Sequence, residues 1–356
     1  MALFRAFAWL AAALLLSMAL TACGEKKPIT NESFVFGTRV EVQVADDLPG
    51  AQIRAALAQV LAEFDHLHRS YHAWQPSELT QLNDALAAGK RHHVSKEMAE
   101  LLLEAQGYAR QSDALFDPGI GRLIALWGFH ADSYAAQRPD PAAIRAWLAS
   151  SPSILQIHVE SDADGSWVSG TNRQVSLDFG GSLKGKALDR AAEILRAAGV
   201  RNALINIGGN VMALGTRDGQ AWRVAIQAPR YGGPLAVLVL KDGEAIGTSG
   251  DYQRYFEVDG QRFSHLLDPR TGYPATETQG VTIVVDGPDA GVRSDVLSKP
   301  VFIAGEGGWE AMAKRLGLTQ VLRVDAQGRV GVTAPLADRL KFMPHDGKLP
   351  NIRRIE

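Results

Sequence analysis

The sequence predicts a single α+β domain of mixed β-sheets flanked by helices, with two lobes and a site between them as an alternative. Three observations support this prediction. Helical periodicity dominates the first half of the chain, short strand-like segments follow one another from about residue 200, and no internal repeat interrupts them. The 356 residues are 46% hydrophobic and 21% charged, which is typical of a soluble globular protein with a buried core.

The charge balance excludes one class of partner. The chain has 37 basic and 39 acidic residues, which gives a formal net charge of −2 at pH 7. The chain has no excess of positive charge that would bind the phosphate backbone of a nucleic acid. We therefore expect no nucleic-acid partner.

Residues 1–22 are predicted to be a lipoprotein signal peptide. Arg5 provides a short positive region, and residues 6–22 carry no charge. The segment "LTAC" places a small residue before Cys23, the only cysteine of the chain, as in a bacterial lipoprotein cleavage site. A membrane-spanning helix is the alternative, but the apolar run is at the short end of the length that a bilayer requires.

The predicted cleavage defines the other boundaries of the chain. Cys23 would become the lipidated first residue, and its lipid chains would hold the protein at a membrane surface. Residues 23–32 are mainly polar and are predicted to form a tether. The folded domain is then expected to occupy residues 33–356.

Before residue 200, the predicted elements are mostly helices. Residues 33–44 alternate like a strand, and residues 51–71 have apolar side chains at helical spacing. Ser95 is a candidate N-cap for the next helix. Residues 175–199 then combine a strand, a Gly-Gly turn and an amphipathic helix.

After residue 200, strands dominate until a single late helix. Strand-like segments occur at residues 202–207, 222–228, 235–240, 252–258 and 280–285. Residues 290–305 are predicted to be helical, and the chain is expected to end in strands.

Two turn-rich segments carry polar groups that could bind an anion or take part in chemistry. After the glycine pair of residues 175–199, free amides begin a helix, and Lys184 adds a positive charge in its first turn. In "SHLLDPRTGYPA", residues 264–275, a histidine, an aspartate and an arginine surround a stiff turn. Neither GxGxxG nor GxxxxGK[ST] occurs, so each segment alone is consistent with an ordinary tight turn.

These segments belong to a longer series of motifs. The series comprises "FGTRVEV", "SYHAWQPSELTQLN", "LFDPGIGRLIALWGF", "SLDFGGSLKGKALD", "INIGGN", "TSGDYQRYF", "SHLLDPRTGYP" and "SDVLSKPVFIAG". Their order, from Ser33 to Gly305, resembles that of the ApbE family. Several consecutive motifs in one order are far more specific than any single glycine pair.

The resemblance implies an FAD:protein FMN transferase. Such an enzyme binds FAD as substrate together with Mg²⁺, passes FMN to a Thr or Ser hydroxyl of an acceptor protein and releases AMP. The acceptor implied is a membrane-bound redox subunit, which favours the periplasmic side of the bacterial inner membrane. Two alternatives use the same pocket: an FAD pyrophosphatase that yields FMN and AMP, and a lipoprotein that binds flavin without chemistry.

The resemblance also assigns roles to individual residues. His265 would lie beside the diphosphate as a base or charge stabiliser, and Asp268 would open the turn that holds it there. Gly181, through its carbonyl, and Asp295 would bind the metal. The residues that would contact FAD are Phe36, Trp74, Phe116, Asp117, Pro118, Asp178, Lys184 and Leu266. The other histidines of the first half, His66, His68, His72, His92 and His93, are expected to be solvated or packed.

The sequence departs from the family pattern at Lys299. In the family, a threonine one helical turn after the aspartate also binds Mg²⁺, and Lys299 stands at that position after Asp295. A protonated lysine cannot ligate a metal. Three interpretations are open: Lys299 points outward and Ser298 or water replaces the ligand, Lys299 replaces part of the metal's charge, or the protein turns FAD over poorly. We expect the first two to act together.

Overall fold

The computed structural model describes residues 27–131, 135–163 and 165–356. The predicted signal peptide and Cys23 lie outside the described residues. Within the part of the chain that is described, no helix has both the length and the apolar character needed to cross a bilayer.

Strands and helices alternate along the described chain. The strands are β1 (Ile29–Val35), β2 (Thr38–Val44), β3 (His92–Val94), β4 (Ile157–Asp162), β5 (Gly165–Gly170), β6 (Ala203–Ile207), β7 (Asn210–Leu214), β8 (Trp222–Gln227), β9 (Pro234–Leu240), β10 (Ala245–Gly250), β11 (Tyr255–Val258), β12 (Gln261–Ser264), β13 (Leu267–Asp268), β14 (Tyr273–Pro274), β15 (Thr278–Val285), β16 (Val321–Asp325), β17 (Val330–Thr333), β18 (Lys341–Phe342) and β19 (Ile352–Ile355). The helices are α1 (Gly50–Ser70), α2 (Glu78–Ala87), α3 (Lys96–Gln111), α4 (Gly121–Leu126), α5 (Pro141–Ser150), α6 (Leu183–Ala197), α7 (Ala290–Ile303), α8 (Gly305–Arg315) and α9 (Ala334–Ala337).

A nine-stranded sheet forms the centre of the domain. Its strand order is β1-β2-β6-β7-β10-β15-β16-β17-β19. Neighbouring strands are antiparallel except β17 and β19, which are parallel. Two three-stranded sheets, β3-β5-β4 and β18-β9-β8, and the hairpins β11-β12 and β13-β14 complete the β-structure of the described residues.

The first strand begins earlier than the sequence predicted. Residues 29–32, which were assigned to the tether, pair with residues 41–44 of β2 in an antiparallel register. That part of the tether prediction is wrong, because β2 gives these residues a row of backbone hydrogen-bonding partners. Phe36 and Gly37 connect the two strands with φ values of 57° and 67°, as a tight two-residue hairpin turn requires.

Two hydrophobic cores lie on opposite faces of the central sheet. Along β15, Val281 and Ile283 face the core that α1, α6 and α7 help to form, and Val284 faces the core shared with β8 and β9. A smaller core between α4, α5 and the β11-β12 hairpin contains Trp127 and Phe263. The prediction of one α+β domain is confirmed, since every layer is built on or around this single sheet.

Glycines allow α7 to lie unusually close to its neighbours. A Cβ on Gly247 of β10 would lie 2.1 Å from the carbonyl oxygen of Ser294, and one on Gly185 of α6 would lie 2.5 Å from that of Gly291. Asp189 of α6 accepts hydrogen bonds at 2.7 and 2.8 Å from the amide of Gly291 and the amide that follows it. These contacts fix the start of α7, and with it the residues one to two turns later.

Candidate active site

Asp295 of α7 lies buried at the junction of two helices. Its Oδ2 accepts a hydrogen bond from the Gly185 amide at 2.9 Å, and its Oδ1 lies 2.7 Å from Lys299 Nζ and 3.9 Å from Lys184 Nζ. Burial alone would raise the pKa of Asp295, but the charges of Lys184 and Lys299 outweigh burial and lower it. Asp295 is therefore a carboxylate held between two ammonium groups.

Lys299 points into the site rather than outward. Its Nζ donates to the Asp295 carbonyl oxygen and to Oδ1, both at 2.7 Å. Its Cε lies beside Gly181, where an added Cβ would be only 3.2 Å away. Ser298 donates instead to the Asp295 carbonyl at 2.9 Å and lies 2.8 Å from the Ser249 hydroxyl. The interpretation in which Lys299 faces solvent and Ser298 replaces the missing ligand is wrong, because the ion pair with Asp295 draws the lysine inward.

The residues predicted to bind Mg²⁺ do not fit a divalent cation as they are arranged. The Lys299 side chain lies against both predicted ligands, since its Nζ donates to Asp295 and its Cε lies 3.2 Å from where a Cβ on Gly181 would be. Mg²⁺ requires an octahedron of oxygen ligands at about 2.0–2.1 Å. Here the oxygens of Asp295 already accept hydrogen bonds from an ammonium group and from the Gly185 amide. Within the described residues, no group of three or more His, Cys, Asp or Glu side chains is arranged to hold a metal.

His265 follows β12 and is held in one orientation. Its backbone amide and its Nδ1 both lie 3.1 Å from the Arg254 carbonyl oxygen. Because a carbonyl can only accept, Nδ1 carries the proton, and Nε2 keeps a free lone pair. Burial lowers the pKa of His265 to about 3, and the charges of Arg254, Lys184 and Lys299 add to this effect. The imidazole is therefore neutral at physiological pH and lies close to the α6–α7 cations.

A second buried pair, Asp178 and His130, lies near the glycine turn that precedes α6. His130 Nε2 donates to Asp178 Oδ2 at 2.8 Å, and the Gly180 amide donates to Oδ1 at 2.7 Å. Burial alone would raise the pKa of Asp178, but the hydrogen bond and charge of His130, with smaller contributions that include Arg254, lower it. The indole of Trp74 stacks on the His130 ring with centroids 5.2 Å apart.

Aromatic side chains form a continuous row from the first hairpin to this pair. The Phe36 ring lies 5.7 Å from His68, His68 lies 5.0 Å from His72, and His72 lies 4.6 Å from Trp74. We call Phe36, His68, His72, Trp74 and His130 the aromatic row. The packing role expected for His68 and His72 agrees with these contacts. The row brings together Phe36 and Trp74, which the sequence analysis assigned separately to the flavin.

The segment that contains residues 116–118 packs against Asp178 and the glycine turn before α6. The Phe116 ring would be 3.3 Å from a Cβ on Gly181, and the Pro118 carbonyl accepts the Asp178 amide at 2.8 Å. Phe116 is only 5% exposed. Leu266, next to His265, packs into the main core.

The carboxylates of two predicted site residues, Asp117 and Asp268, accept hydrogen bonds within turns. Asp117 Oδ1 accepts the Gly119 and Ile154 amides at 2.7 and 2.9 Å, and burial raises the pKa of Asp117. Asp268 accepts the Arg270 amide at 2.9 Å and two guanidinium nitrogens of the same residue at 2.7 to 3.2 Å. Both carboxylates hold backbone in place, and neither of these contacts joins Asp268 to His265.

The remaining glycine motifs converge beside the aromatic row. A Cβ on Gly208 would lie 2.6 Å from the Thr38 hydroxyl, which places the "INIGGN" turn against the first hairpin. Asn210 Oδ1 accepts the Thr248 amide at 3.4 Å, and its buried Nδ2 has no hydrogen-bond partner. An unpaired buried amide nitrogen at this point is a donor available to a bound molecule.

Sequence reasoning missed two residues of the site. His130 directly follows the quoted motif "LFDPGIGRLIALWGF", and Arg254 lies within "TSGDYQRYF", but neither was singled out. His130 pairs with Asp178, while Arg254 holds His265 and donates to the Phe129 carbonyl at 2.8 Å. Only their positions in or next to a motif could have pointed to them, because their partners are distant in sequence.

Comparison with known proteins decides the family. Residues 36–322 match the model described as the ApbE family. The chain belongs to the ApbE family. The resemblance inferred from motif order is thereby confirmed.

Three ApbE relatives illustrate the similarity. The FAD:protein FMN transferase of Rhodobacter capsulatus is 38% identical over 341 residues, which cover 96% of this chain and 64% of the relative. The crystal structure of the ApbE protein of Thermotoga maritima has a TM-score of 0.79 and 29% identity, covering 88% of this chain and 99% of that one. The apo flavinyl transferase ApbE of Pseudomonas stutzeri has a TM-score of 0.75 and 27% identity, covering 90% and 98%. The predicted fold class is confirmed by these structures.

Proposed function

We propose that this ApbE protein is an enzyme that transfers FMN from FAD to a Thr or Ser hydroxyl of an acceptor protein and releases AMP. One observation carries the proposal: a neutral imidazole with a free Nε2 lies close to two ammonium groups that share a buried carboxylate. The names of the relatives support the same reaction class.

The reaction needs few groups from the protein. The acceptor hydroxyl oxygen attacks the phosphorus on the FMN side of the diphosphate, and the bond from that phosphorus to the bridging oxygen breaks. AMP leaves with the bridging oxygen and its electron pair, and the hydroxyl proton must go to a base. Positioning of the two reactants and neutralisation of phosphate charge supply most of the catalysis in such transfers.

His265 is the group suited to accept the hydroxyl proton. The Arg254 carbonyl fixes Nδ1 as the protonated nitrogen, so Nε2 is the accepting atom. The depressed pKa keeps the imidazole unprotonated before FAD binds. A bound diphosphate dianion opposes the effect of the nearby cations on that pKa, so its arrival makes His265 a stronger base.

Other residues would bind the two ends of FAD. The aromatic row offers flat rings for the isoalloxazine, and Trp74 is 36% exposed and so accessible to it. Phe116 lies beside Gly181, and Pro118 holds the backbone of Asp178, so this segment is the candidate for the adenosine half. Lys184 is the cation of the first turn of α6 and faces the diphosphate in this arrangement.

The setting of the reaction is also part of the proposal. Lipidation of Cys23 would anchor the enzyme to the bacterial membrane on the periplasmic side, where a membrane-bound redox subunit would be the acceptor. Magnesium dependence, which the resemblance implies, is left out of the proposal, because the arrangement of Asp295, Gly181 and Lys299 does not favour a divalent cation.

A transfer assay tests the proposal. The purified protein is incubated with FAD and the periplasmic domain of a membrane-bound redox subunit, and mass spectrometry measures a mass gain of FMN less one water. We expect His265→Ala to keep its fold by circular dichroism and to lose about 10²- to 10⁴-fold in rate. Asp295→Ala and Asp295→Asn should also lose most transfer, since the lysines lose the carboxylate between them.

The same assay separates the alternatives. Release of FMN and AMP without any acceptor would identify a pyrophosphatase. Stoichiometric FAD binding without AMP under any metal condition would identify a flavin-binding lipoprotein. An FMN adduct that forms equally well with His265→Ala would remove His265 from the mechanism.

A further inference from the structure

We propose that the Lys299 ammonium takes the place of a divalent cation at the FAD diphosphate, so that this protein binds and cleaves FAD without Mg²⁺. The inference rests on the proposed function and concerns the same site. It assigns to Lys299 the neutralisation of phosphate charge that a metal ion would otherwise supply.

The position of the ammonium is the first argument. Lys299 Nζ lies 2.7 Å from both the carbonyl oxygen and Oδ1 of Asp295, the residue predicted to bind the metal through its side chain. The aliphatic part of the side chain passes Gly181, with Cε and Cδ at 3.2 and 3.4 Å from where a Cβ would be. A larger residue at 181 would collide with this side chain, so the glycine and the lysine fit one another.

The balance of charge is the second argument. Lys184 and Lys299 bring two positive charges to Asp295, which brings a single negative charge, so the cluster keeps a net positive charge. With a neutral residue at 299, the charges of Lys184 and Asp295 would cancel, and this cluster would carry no net charge unless a metal bound. Lys299 therefore supplies the excess charge from within the chain.

Competition for the same oxygens is the third argument. A divalent cation would have to displace an ammonium whose side chain is only 14% exposed, and then share Asp295 with it. Two cations so close would repel each other strongly in a buried site. The ion pair is thus favoured over metal binding at this position.

FAD binding and AMP release under metal-free conditions test the inference. Full-length protein in detergent is treated with EDTA, and FAD affinity is measured by quenching of flavin fluorescence with and without added Mg²⁺. AMP release is measured with the acceptor domain of the transfer assay present. We expect the FAD affinity and the rate of AMP release of the wild type to change by less than about twofold when Mg²⁺ is added, because Lys299 already supplies the positive charge. Calorimetric titration of Mg²⁺ into the FAD complex should give no stoichiometric heat.

Two variants sharpen the test. Lys299→Thr restores an oxygen ligand, so its FAD affinity should fall by about 10- to 100-fold in EDTA and recover with Mg²⁺. Lys299→Met removes the charge without adding an oxygen ligand, so its loss of FAD affinity should not be reversed by Mg²⁺. Lys186→Thr is the matched control: Lys186 lies on the neighbouring helix α6, its ammonium pairs with Glu104 at 3.2 Å, and the variant should behave as wild type.

The outcomes are distinguishable from failure of the proposed function. Wild-type FAD binding that is lost in EDTA and restored by Mg²⁺, or a stoichiometric heat of Mg²⁺ binding, would overturn the role of Lys299. Absence of both AMP and adduct in every buffer would count against the transferase. The role of Lys299 in FAD binding would then be tested by the FAD affinities with and without Mg²⁺ alone.

Discussion

His265 shows how a single hydrogen bond can set the chemistry of a side chain. The Arg254 carbonyl receives both the amide and Nδ1 of His265, which fixes the tautomer and directs Nε2 away from the backbone. Burial and three nearby cations keep the ring neutral. The same environment leaves a signature in the pH dependence of folding.

That signature is the first prediction at the residue scale. Because the pKa of folded His265 is about 3, below the ordinary 6.5, the unfolded chain binds more protons between those values. The contribution of His265 therefore destabilises the fold as pH falls below about 6.5, by at most about 1.4 kcal/mol per pH unit, and is constant at higher pH. Urea unfolding at about pH 7 and about pH 5 should show a smaller loss of stability for His265→Gln than for wild type. Equal losses would contradict the assignment.

Asp268 gives a second prediction, since its carboxylate is engaged by the turn. Asp268→Asn keeps one acceptor oxygen but loses the charge that faces Arg270, whose side chain is 58% exposed. We expect a loss of about 1 kcal/mol in the free energy of unfolding and a transfer rate within a few-fold of wild type. A fall in rate comparable to that of His265→Ala, with unchanged stability, would instead support the catalytic role that the resemblance assigned to Asp268.

At the scale of elements, α7 owes its place to glycines on its neighbours. Gly247 and Gly185 let β10 and α6 approach the first two turns of the helix, and Asp189 satisfies its amides. Since Asp295 and Lys299 lie on those turns and the next, any shift of α7 moves the cation cluster.

A matched pair of glycine substitutions tests this. Gly247→Ala places a methyl group 2.1 Å from the Ser294 carbonyl, so we expect a loss of about 1–3 kcal/mol in stability and weaker FAD binding. Gly307→Ala lies in exposed α8 with nothing within 4 Å and should stabilise the protein by about 0.4–1 kcal/mol. Denaturant unfolding measures the stability of both variants. A Gly247→Ala variant as stable as wild type would show that α7 can shift without loss of folding free energy.

Elements were easier to predict than the contacts between them. The period of the helices and strands, and Ser95 as an N-cap, could be read locally, and Ser95 does accept the Met98 amide at 3.1 Å. The direction of Lys299 depends on the space beside Gly181, in the turn before α6, and the pairing of His130 with Asp178 depends on how distant segments meet. Periodicity carries no information about either contact. Residues 29–32 were not predicted to be a strand, because their strand conformation depends on pairing with β2 rather than on their own sequence pattern.

At the scale of the whole molecule, the proposed lipid anchor would determine where the enzyme meets its acceptor. Cys23→Ser removes the predicted lipidation site while leaving the described domain unchanged. We expect the variant to move from the membrane fraction to the soluble fraction and to lose incorporation of labelled palmitate. Its transfer rate with the soluble periplasmic domain of a redox subunit should match wild type. Membrane retention of the variant would contradict the lipoprotein prediction.

The early start of β1 limits how far the domain can stand from that anchor. Only six peptide steps separate Cys23 from Ile29, where pairing with β2 begins. Fully extended, they reach about 20 Å. In a lipidated protein, Ile29 would therefore stay within about 20 Å of the membrane surface, which would keep the start of β1 close to the headgroups.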